Sequence, residues 1–290
     1  MEQKNKELIV ITGPTAVGKT EVVLQLAEEK KLEVISCDSR QFYREMNIGT
    51  AKPSPTELVR VPHHFVNALS IHDSYSAGDF EKDGLRVLGQ CFRRNDQVIL
   101  TGGSGLYITA ICQGFNKFPE VPKSIIQELE RKSLKELQEM LVVKDPDYYS
   151  RVDTQNDRRL VRALSIIKVS GRSFTSFVQQ NLEQRPFSIK YIVLNRPREI
   201  LYQRINERVD LMLEHGLLQE ARELYPHKHL KSLQTVGYQE LFQHFDGLIS
   251  LEEAVRLIKR NSRRYAKRQL TWFRKLEGAV WQHPKEQIKI

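Results

Sequence analysis

The segment ELIVITGPTAVGKT, residues 7 to 20, admits few architectures. ELIVI predicts a strand, EVVLQLAEE beyond it predicts a helix, and Gly13 and Gly18 bracket the turn between them, where the backbone must take up conformations and approaches that a side chain would block. The N–H groups of such a loop and the positive end of its helix converge on anionic oxygens, so the chain should build an α/β layer with a phosphate group at the end of its first strand. Lys19 would bring a point charge to the terminal phosphate and Thr20 a hydroxyl for Mg²⁺. Kinases, motors, switches and transferases all use this pattern, and the rest of the chain has to choose among them.

EVISCDS, HFVNALS and QVILTGG read as further short strands with helix-like segments between most of them, the mark of a parallel sheet with crossover helices. From about Lys117 only helical periodicity is visible. Pro122 opens one stretch, Ser133 with Glu136 forms a capping box, and Gly171 closes a helix begun near Asn156. KYIVLNR, residues 190 to 196, then returns as a strand. Residues 117–186 are therefore expected to be a helical insertion in an α/β domain made of 1–116 and 187–290, whose last part should be helical throughout.

Forty-five basic residues face thirty-six acidic ones, a net charge of +9, and a surplus of this kind favours a polyanionic partner. Arg256, Lys259, Arg260, Arg263, Arg264, Lys267, Arg268, Arg274 and Lys275 follow one another with no acidic residue between them. Ser250 and Glu253 suggest a capping box at the start of this helix. Leu251, Val255, Ile258, Ala266, Leu270 and Phe273 can share one face, and Arg256, Arg260, Arg263, Lys267 and Arg274 another. A solvated amphipathic helix often shows such a stripe, but so long a run without acid favours contact with RNA phosphate. Trp272 and Trp281 are read as packing residues. Cys37, Cys91 and Cys112 are too widely spaced for a metal motif and are expected as buried thiols, while the adjacent His63 and His64 point to opposite faces and should pack rather than hold zinc. No apolar run reaches the roughly 18 residues of a membrane span and no signal-peptide pattern is present, so a cytoplasmic protein is expected. Without a heptad array, a monomer is expected.

Loop-containing NTPases usually carry a second strand ending in an acid that holds the metal, yet QVILTGG ends in Thr101 and two glycines. That argues against a motor or a switch. The strand-end acid is instead Asp38, which can cap the following helix or accept a proton from a nucleophile. DSRQFYREMNIGTAKP around it, YSAGDF at residues 75 to 80, LTGGSGLY, QNDRRLVRAL, TVGYQEL and RRYAKRQLTWFRK, taken together and in this order, resemble the tRNA dimethylallyltransferases over nearly the whole chain.

The resemblance implies transfer of the dimethylallyl group of dimethylallyl diphosphate to N6 of the adenine 3′ to the anticodon, with Mg²⁺. The loop Gly13, Pro14, Thr15, Ala16, Val17, Gly18, Lys19 and Thr20 would then hold a departing diphosphate through the N–H groups of residues 15 to 20, Lys19, and Mg²⁺ on Thr20. Asp38, ionised at neutral pH, would be the general base. Ser39, Arg40, Gln41, Ser104, Arg158, Arg159, Arg162, Gln234, Gly237, Arg263, Lys267 and Arg268 would contact tRNA, with residues 117–186 clamping the anticodon stem-loop and the target base splayed out to reach Asp38. Val17, Cys37 and Ser104 are conservative departures from the family pattern. Arg158 replaces a frequent Gln and Gln234 an Arg of other branches, so charge near the diphosphate would be shared differently. A small-molecule or nucleoside kinase is the rival with the same loop, but it leaves the basic helix without a task. An RNA-binding module switched by a nucleotide lacks the metal-holding acid.

Overall fold

The computed structural model describes residues 6–178 and 184–288. The chain forms two compact units, Met1–Cys112 with Arg185–Ile290, and Gln113–Gln184. In chain order the first unit begins with β1 (Glu7–Thr12), α1 (Lys19–Lys30), β2 (Val34–Ser36), α2 (Pro55–Arg60), β3 (His63–His64), α3 (Ala77–Phe92), β4 (Gln97–Gly102) and α4 (Gly105–Cys112). The second unit contributes α5 (Lys123–Glu130), α6 (Leu134–Lys144), α7 (Pro146–Tyr149), α8 (Asp157–Ser170) and α9 (Thr175–Val178). The first unit resumes with β5 (Ser188–Leu194), α10 (Arg198–Glu214), α11 (Leu217–Leu224), α12 (Tyr238–Phe245), α13 (Leu251–Phe273) and β6 (Val280–Gln282).

The six strands run in the order β3-β2-β4-β1-β5-β6 and every pair is parallel. A parallel sheet is covered on both faces, which is why its strands are apolar without alternation. Leu8, Ile9, Val10 and Ile11 of β1 and Val98, Ile99 and Leu100 of β4 are fully buried. The helical unit leaves the chain between α4 and β5, and β5 still pairs with β1 from Glu7↔Ser188 onward, so the sheet is continuous across the excursion. Parallel strands put all their C-terminal ends on one edge, and there the chain opens its ligand crevice.

Three expectations are corrected. HFVNALS is not a full strand: only His63–His64 pairs with β2, after which Phe65 and Asn67 take left-handed φ angles of 65° and 57°. Turning there seats the Phe65 ring against Phe42 and Phe80, and the Asn67 amide oxygen accepts from Lys52 Nζ at 2.6 Å. The C-terminal part is not helical throughout, since β6 adds an edge strand to β5. The capping box at Ser250 is only half made, because Ser250 accepts from Glu253 N while the Glu253 carboxylate turns to Arg256. The boxes at Ser133 and the glycine stop at Gly171 are present as read.

The helical unit has its own core of Leu137, Leu141, Leu160, Leu164, Ile166 and neighbours. Its buried Asp145 is fully used, accepting from Thr175 N and Oγ1 and from Tyr148 N. Residues 179–183 of the expected insertion lie outside the described residues.

The three cysteines are buried. Cys91 lies with Glu33 and His64 at the N-terminal end of β2, as the one His, Cys and acid cluster among the described residues. Arg94 donates to both Glu33 oxygens at 2.9 and 2.8 Å and His64 lies 2.9 Å from Oε2. These bonds, Arg94 first, hold the Glu33 carboxyl down at about 2. The pairing therefore stabilises the fold fully above the ordinary carboxylate range and is lost as pH falls from about 4.5 towards 2. Replacing Glu33 by Gln is expected to flatten that part of the acid-unfolding curve, as followed by circular dichroism.

Candidate active site

The loop between β1 and α1 is built as its glycines require. Gly13 and Gly18 have φ of 153° and 108°, and a Cβ on Gly13 would stand 2.5 Å from the Leu194 carbonyl of β5. Ala16 also takes a left-handed φ, 63°. Unlike α2, α3 and α8, helix α1 has no side-chain cap on its first N–H groups. Arg196 Nε donates to Val17 O at 2.8 Å and Arg204 Nε to Ala16 O at 2.9 Å, so these two carbonyls of the loop are held by guanidinium groups.

One element of the expected cradle is different. Thr15 N–H is not free for a ligand, because it donates to Gln269 Oε1 of α13 at 2.9 Å, while Gln269 Nε2 donates to Gly103 O at 2.9 Å. Val17 N–H donates to Pro14 O at 3.3 Å, and the Val17 side chain is core. Ala16, Gly18, Lys19 and Thr20 remain as N–H donors for an anion. Gln269 is buried, and it ties the phosphate loop to LTGGSGLY across α13. Its sequence signal was available: a polar residue lies on the apolar stripe between Ala266 and Phe273.

Lys19 Nζ donates to Gly13 O and Pro14 O at 2.8 and 3.0 Å, and the exposed Thr20 stands at the first turn of α1. Enclosure lowers the Lys19 pKa to about 8, with Arg208 pushing the same way and Asp38 opposing. Above that pH the free side chain loses its charge. Affinity for inorganic diphosphate is accordingly expected to fall as pH rises through about 8, while a Lys19→Arg protein should keep it; titration calorimetry across this range provides the check.

Asp38 follows β2, and its Oδ1 accepts from Arg40 N at 2.9 Å. Ser39 N donates to Ser104 Oγ at 3.1 Å, which joins the ends of β2 and β4. Arg40 is anchored on Ser232 O at 2.9 Å, and Gln41 Nε2 on Ala51 O at 3.1 Å. Two cavities meet at Asp38. One is polar and is lined by Gly18, Lys19, Thr20, Gln41, Lys52 and Arg204. The other has polar and apolar walls in equal share, the apolar part made by Ile205, Val209, Met212, Leu217, Val236 and Ile258. Thr15, Asp38, Thr50, Arg208 and Tyr265 line both.

Arg208 is the residue that sequence reasoning missed most plainly. It interrupts the buried stripe Ile205, Val209, Met212 of α10, and its NH2 donates to Thr15 Oγ1 at 2.7 Å. Enclosure lowers its pKa below the usual guanidinium value and Asp38 opposes this, as expected of a cation held inside a wall and facing a carboxylate. Glu220 was missed too. Its carboxylate accepts from the consecutive N–H groups of Asn47, Ile48 and Gly49 at 2.9, 2.8 and 3.0 Å and from Tyr238 OH at 2.7 Å, which fixes the loop that puts Thr50 into the cavity wall.

The other sequence-chosen positions are dispersed. Gly237 lines the second cavity, with Val236 and Ile258. Gln234 is occupied with Lys228 O and the Gln239 amide. Arg263 donates to Asn206 Oδ1, Arg268 stands beside the Tyr265 ring, and Lys267 faces a separate groove. In the helical unit Arg158 and Arg159 are exposed in the first turn of α8, and Arg162 lies over the Phe118 ring, 5.3 Å from its centre. Trp272 packs on Gly105, as a packing residue should, whereas Trp281 is 39% exposed.

A parallel α/β sheet, a phosphate loop with an inward-facing cation pair, and a strand-end carboxylate in place of a metal-holding acid define a phosphate-loop group transferase. Residues 41–276 match the family model described as IPP transferase. The chain is 47% identical to the tRNA dimethylallyltransferase 1 of Phocaeicola vulgatus, over 98% of this chain and 96% of that protein, and 49% identical to the tRNA dimethylallyltransferase of Christiangramia forsetii, over 94% and 92%. Among solved structures it is similar to a full-length tRNA isopentenylpyrophosphate transferase from Bacillus halodurans, with TM-score 0.72 and 39% identity over 96% and 90% of the two chains. It is also similar to a eukaryotic dimethylallyltransferase acting on tRNA, with TM-score 0.84 and 29% identity over 96% and 74%. The chain belongs to the tRNA dimethylallyltransferase family.

Proposed function

We propose that this protein transfers the dimethylallyl group of dimethylallyl diphosphate to N6 of the adenine 3′ to the anticodon of tRNA, releasing diphosphate. The observation that carries this is the meeting at Asp38 of a polar cavity holding Lys19 and Arg208 with a second cavity one of whose walls is apolar, which suits a ligand with a diphosphate head and a short hydrocarbon tail. Lys19, Arg208 and the loop N–H groups face the head, and Ile205, Val209, Met212 and Leu217 the tail. Asp38 lies where the two parts join.

As the C1–O bond breaks, its electron pair and the growing negative charge pass to the diphosphate. Lys19, Arg208 and the N–H groups of Ala16, Gly18, Lys19 and Thr20 are preorganised around that charge, so they stabilise the transition state more than the ground state. The N6 lone pair forms the new C–N bond, and Asp38 takes the N6 proton. Tyr265 lines both cavities with Asp38, Ser104 accepts from the neighbouring Ser39 N, and both would contact the entering nucleotide. The Thr20 hydroxyl, with the Glu21 and Glu57 carboxylates lining the same cavity, offers hard oxygen donors of the kind that fit Mg²⁺. When bound there, Mg²⁺ would neutralise diphosphate charge.

The helical unit would grip the anticodon stem-loop with Arg158, Arg159 and Arg162. Ser39, Arg40, Gln41, Gln234, Gly237, Arg263, Lys267 and Arg268 would serve RNA contact or its support in the other unit. No helix among the described residues is long and apolar enough to cross a membrane. A monomer working in the cytoplasm suits these assignments. The kinase alternative requires ATP as donor. Incubating the protein with anticodon stem-loop RNA, Mg²⁺ and either labelled dimethylallyl diphosphate or γ-labelled ATP separates the two: label should reach RNA from the former only, and transfer from ATP alone would sink the proposal.

A further inference from the structure

Helix α13 carries two different faces. Ile258, Ser262, Tyr265 and Gln269 look into the cavities at Asp38, while Lys267, Leu270, Thr271 and Arg274, roughly half a helical turn away, line a separate groove of about 660 Å³. Three basic residues earlier in the helix are engaged: Arg256 by Glu253, Lys259 by Asp210, Arg263 by Asn206. Lys267 and Arg274 are exposed, and no Asp or Glu lines the groove. Arg198 joins them from α10, its guanidinium over the Tyr202 ring. Arg196 is already spent on Val17 O and His283.

Two further features are unexplained by packing. Trp281 presents a large aromatic surface on the edge strand β6, and the side-chain oxygen of Asn195 is buried without a donor. An unpaired buried acceptor is costly, and both residues border the groove. A bare phosphate would leave Trp281 and Asn195 unused. An apolar ligand would leave the cations unused.

We propose that this groove is a second nucleotide site, distinct from the cavities at Asp38. Arg198, Lys267 and Arg274 receive a phosphate, Trp281 stacks on the base, and Asn195 accepts from an exocyclic amine. The nucleotide comes either from the RNA substrate, outside the target adenine, or from solution; the first source rests on the activity proposed above.

Two measurements decide this. Indole fluorescence is followed during titration with cytidine or uridine 5′-monophosphate, using the wild-type protein, Trp281→Phe and the double variant Arg198→Gln/Arg274→Gln. In parallel, KM for stem-loop RNA and kcat are measured across a salt series. A free-nucleotide site gives quenching that is stronger for cytidine, absent in Trp281→Phe and weakened in the double variant. An RNA site gives the double variant a KM raised about tenfold at unchanged kcat, and lowers the slope of log affinity against log salt by about 0.7, as one lost contact to a single-stranded phosphate requires. Either result supports the groove as a nucleotide site. No quenching together with unchanged KM and salt slope overturns it. A wild-type protein that transfers nothing to RNA fails the activity while the quenching still judges the groove, so the two failures can be told apart.

Discussion

Asp38→Asn is expected to lower kcat for transfer about 10²- to 10⁴-fold, the usual weight of a positioned general base. The asparagine oxygen can still accept from Arg40 N, so the local turn survives, but the side chain can no longer take the N6 proton. Losing the carboxylate also removes a negative charge facing the polar cavity. Asp38 raises the pKa of both Lys19 and Arg208, and its absence leaves the cavity more positive towards an anion. Diphosphate binding should therefore be unchanged or tighter while turnover collapses. Single-turnover kinetics beside calorimetry of inorganic diphosphate tests both halves, and a variant that turns over normally would remove Asp38 from the chemistry.

Arg208→Leu is expected to cost roughly 10² or more in kcat/KM, the scale of one lost donor to a developing oxyanion. Unlike the Asp38 variant, it should weaken diphosphate binding and transfer together, because Arg208 faces the head group before and after the bond breaks. Leu fits the neighbouring Ile205, Val209 and Met212, so the thermal midpoint should hold or rise, since a buried cation is costly to enclose. Full diphosphate affinity in this variant would show that Arg208 only braces Thr15.

The parts of this molecule that follow from local pattern were legible in its sequence. The β1 strand, the glycine turn and α1 obey rules confined to twenty-four consecutive residues, and the resemblance of six ordered motifs carried the family. The reach of Gln269 across to Thr15 was not legible, because no local rule links positions 254 residues apart. Arg208 and Gln269 did leave a trace, since both place a polar group on a buried helical stripe where burial without a partner is costly. HFVNALS misled for the opposite reason. Its β-prone composition is overridden by the aromatic pocket that takes Phe65 and by the Lys52 contact to Asn67. Strand β6 was missed because a strand three residues long carries almost no periodicity to read.

The path of the chain through the sheet also sets an order of events at the ribosome. Strand β1 lies between β4 and β5, yet β5 is synthesised only after the whole of the helical unit, and the register that begins at Glu7↔Ser188 cannot close until then. During that interval one flank of β1 has no partner, while the helical unit, rich in contacts between neighbours along the chain, can finish its own core quickly. A nascent chain whose helical unit has emerged from the ribosome before β5 would present an open strand edge, a natural handhold for a chaperone.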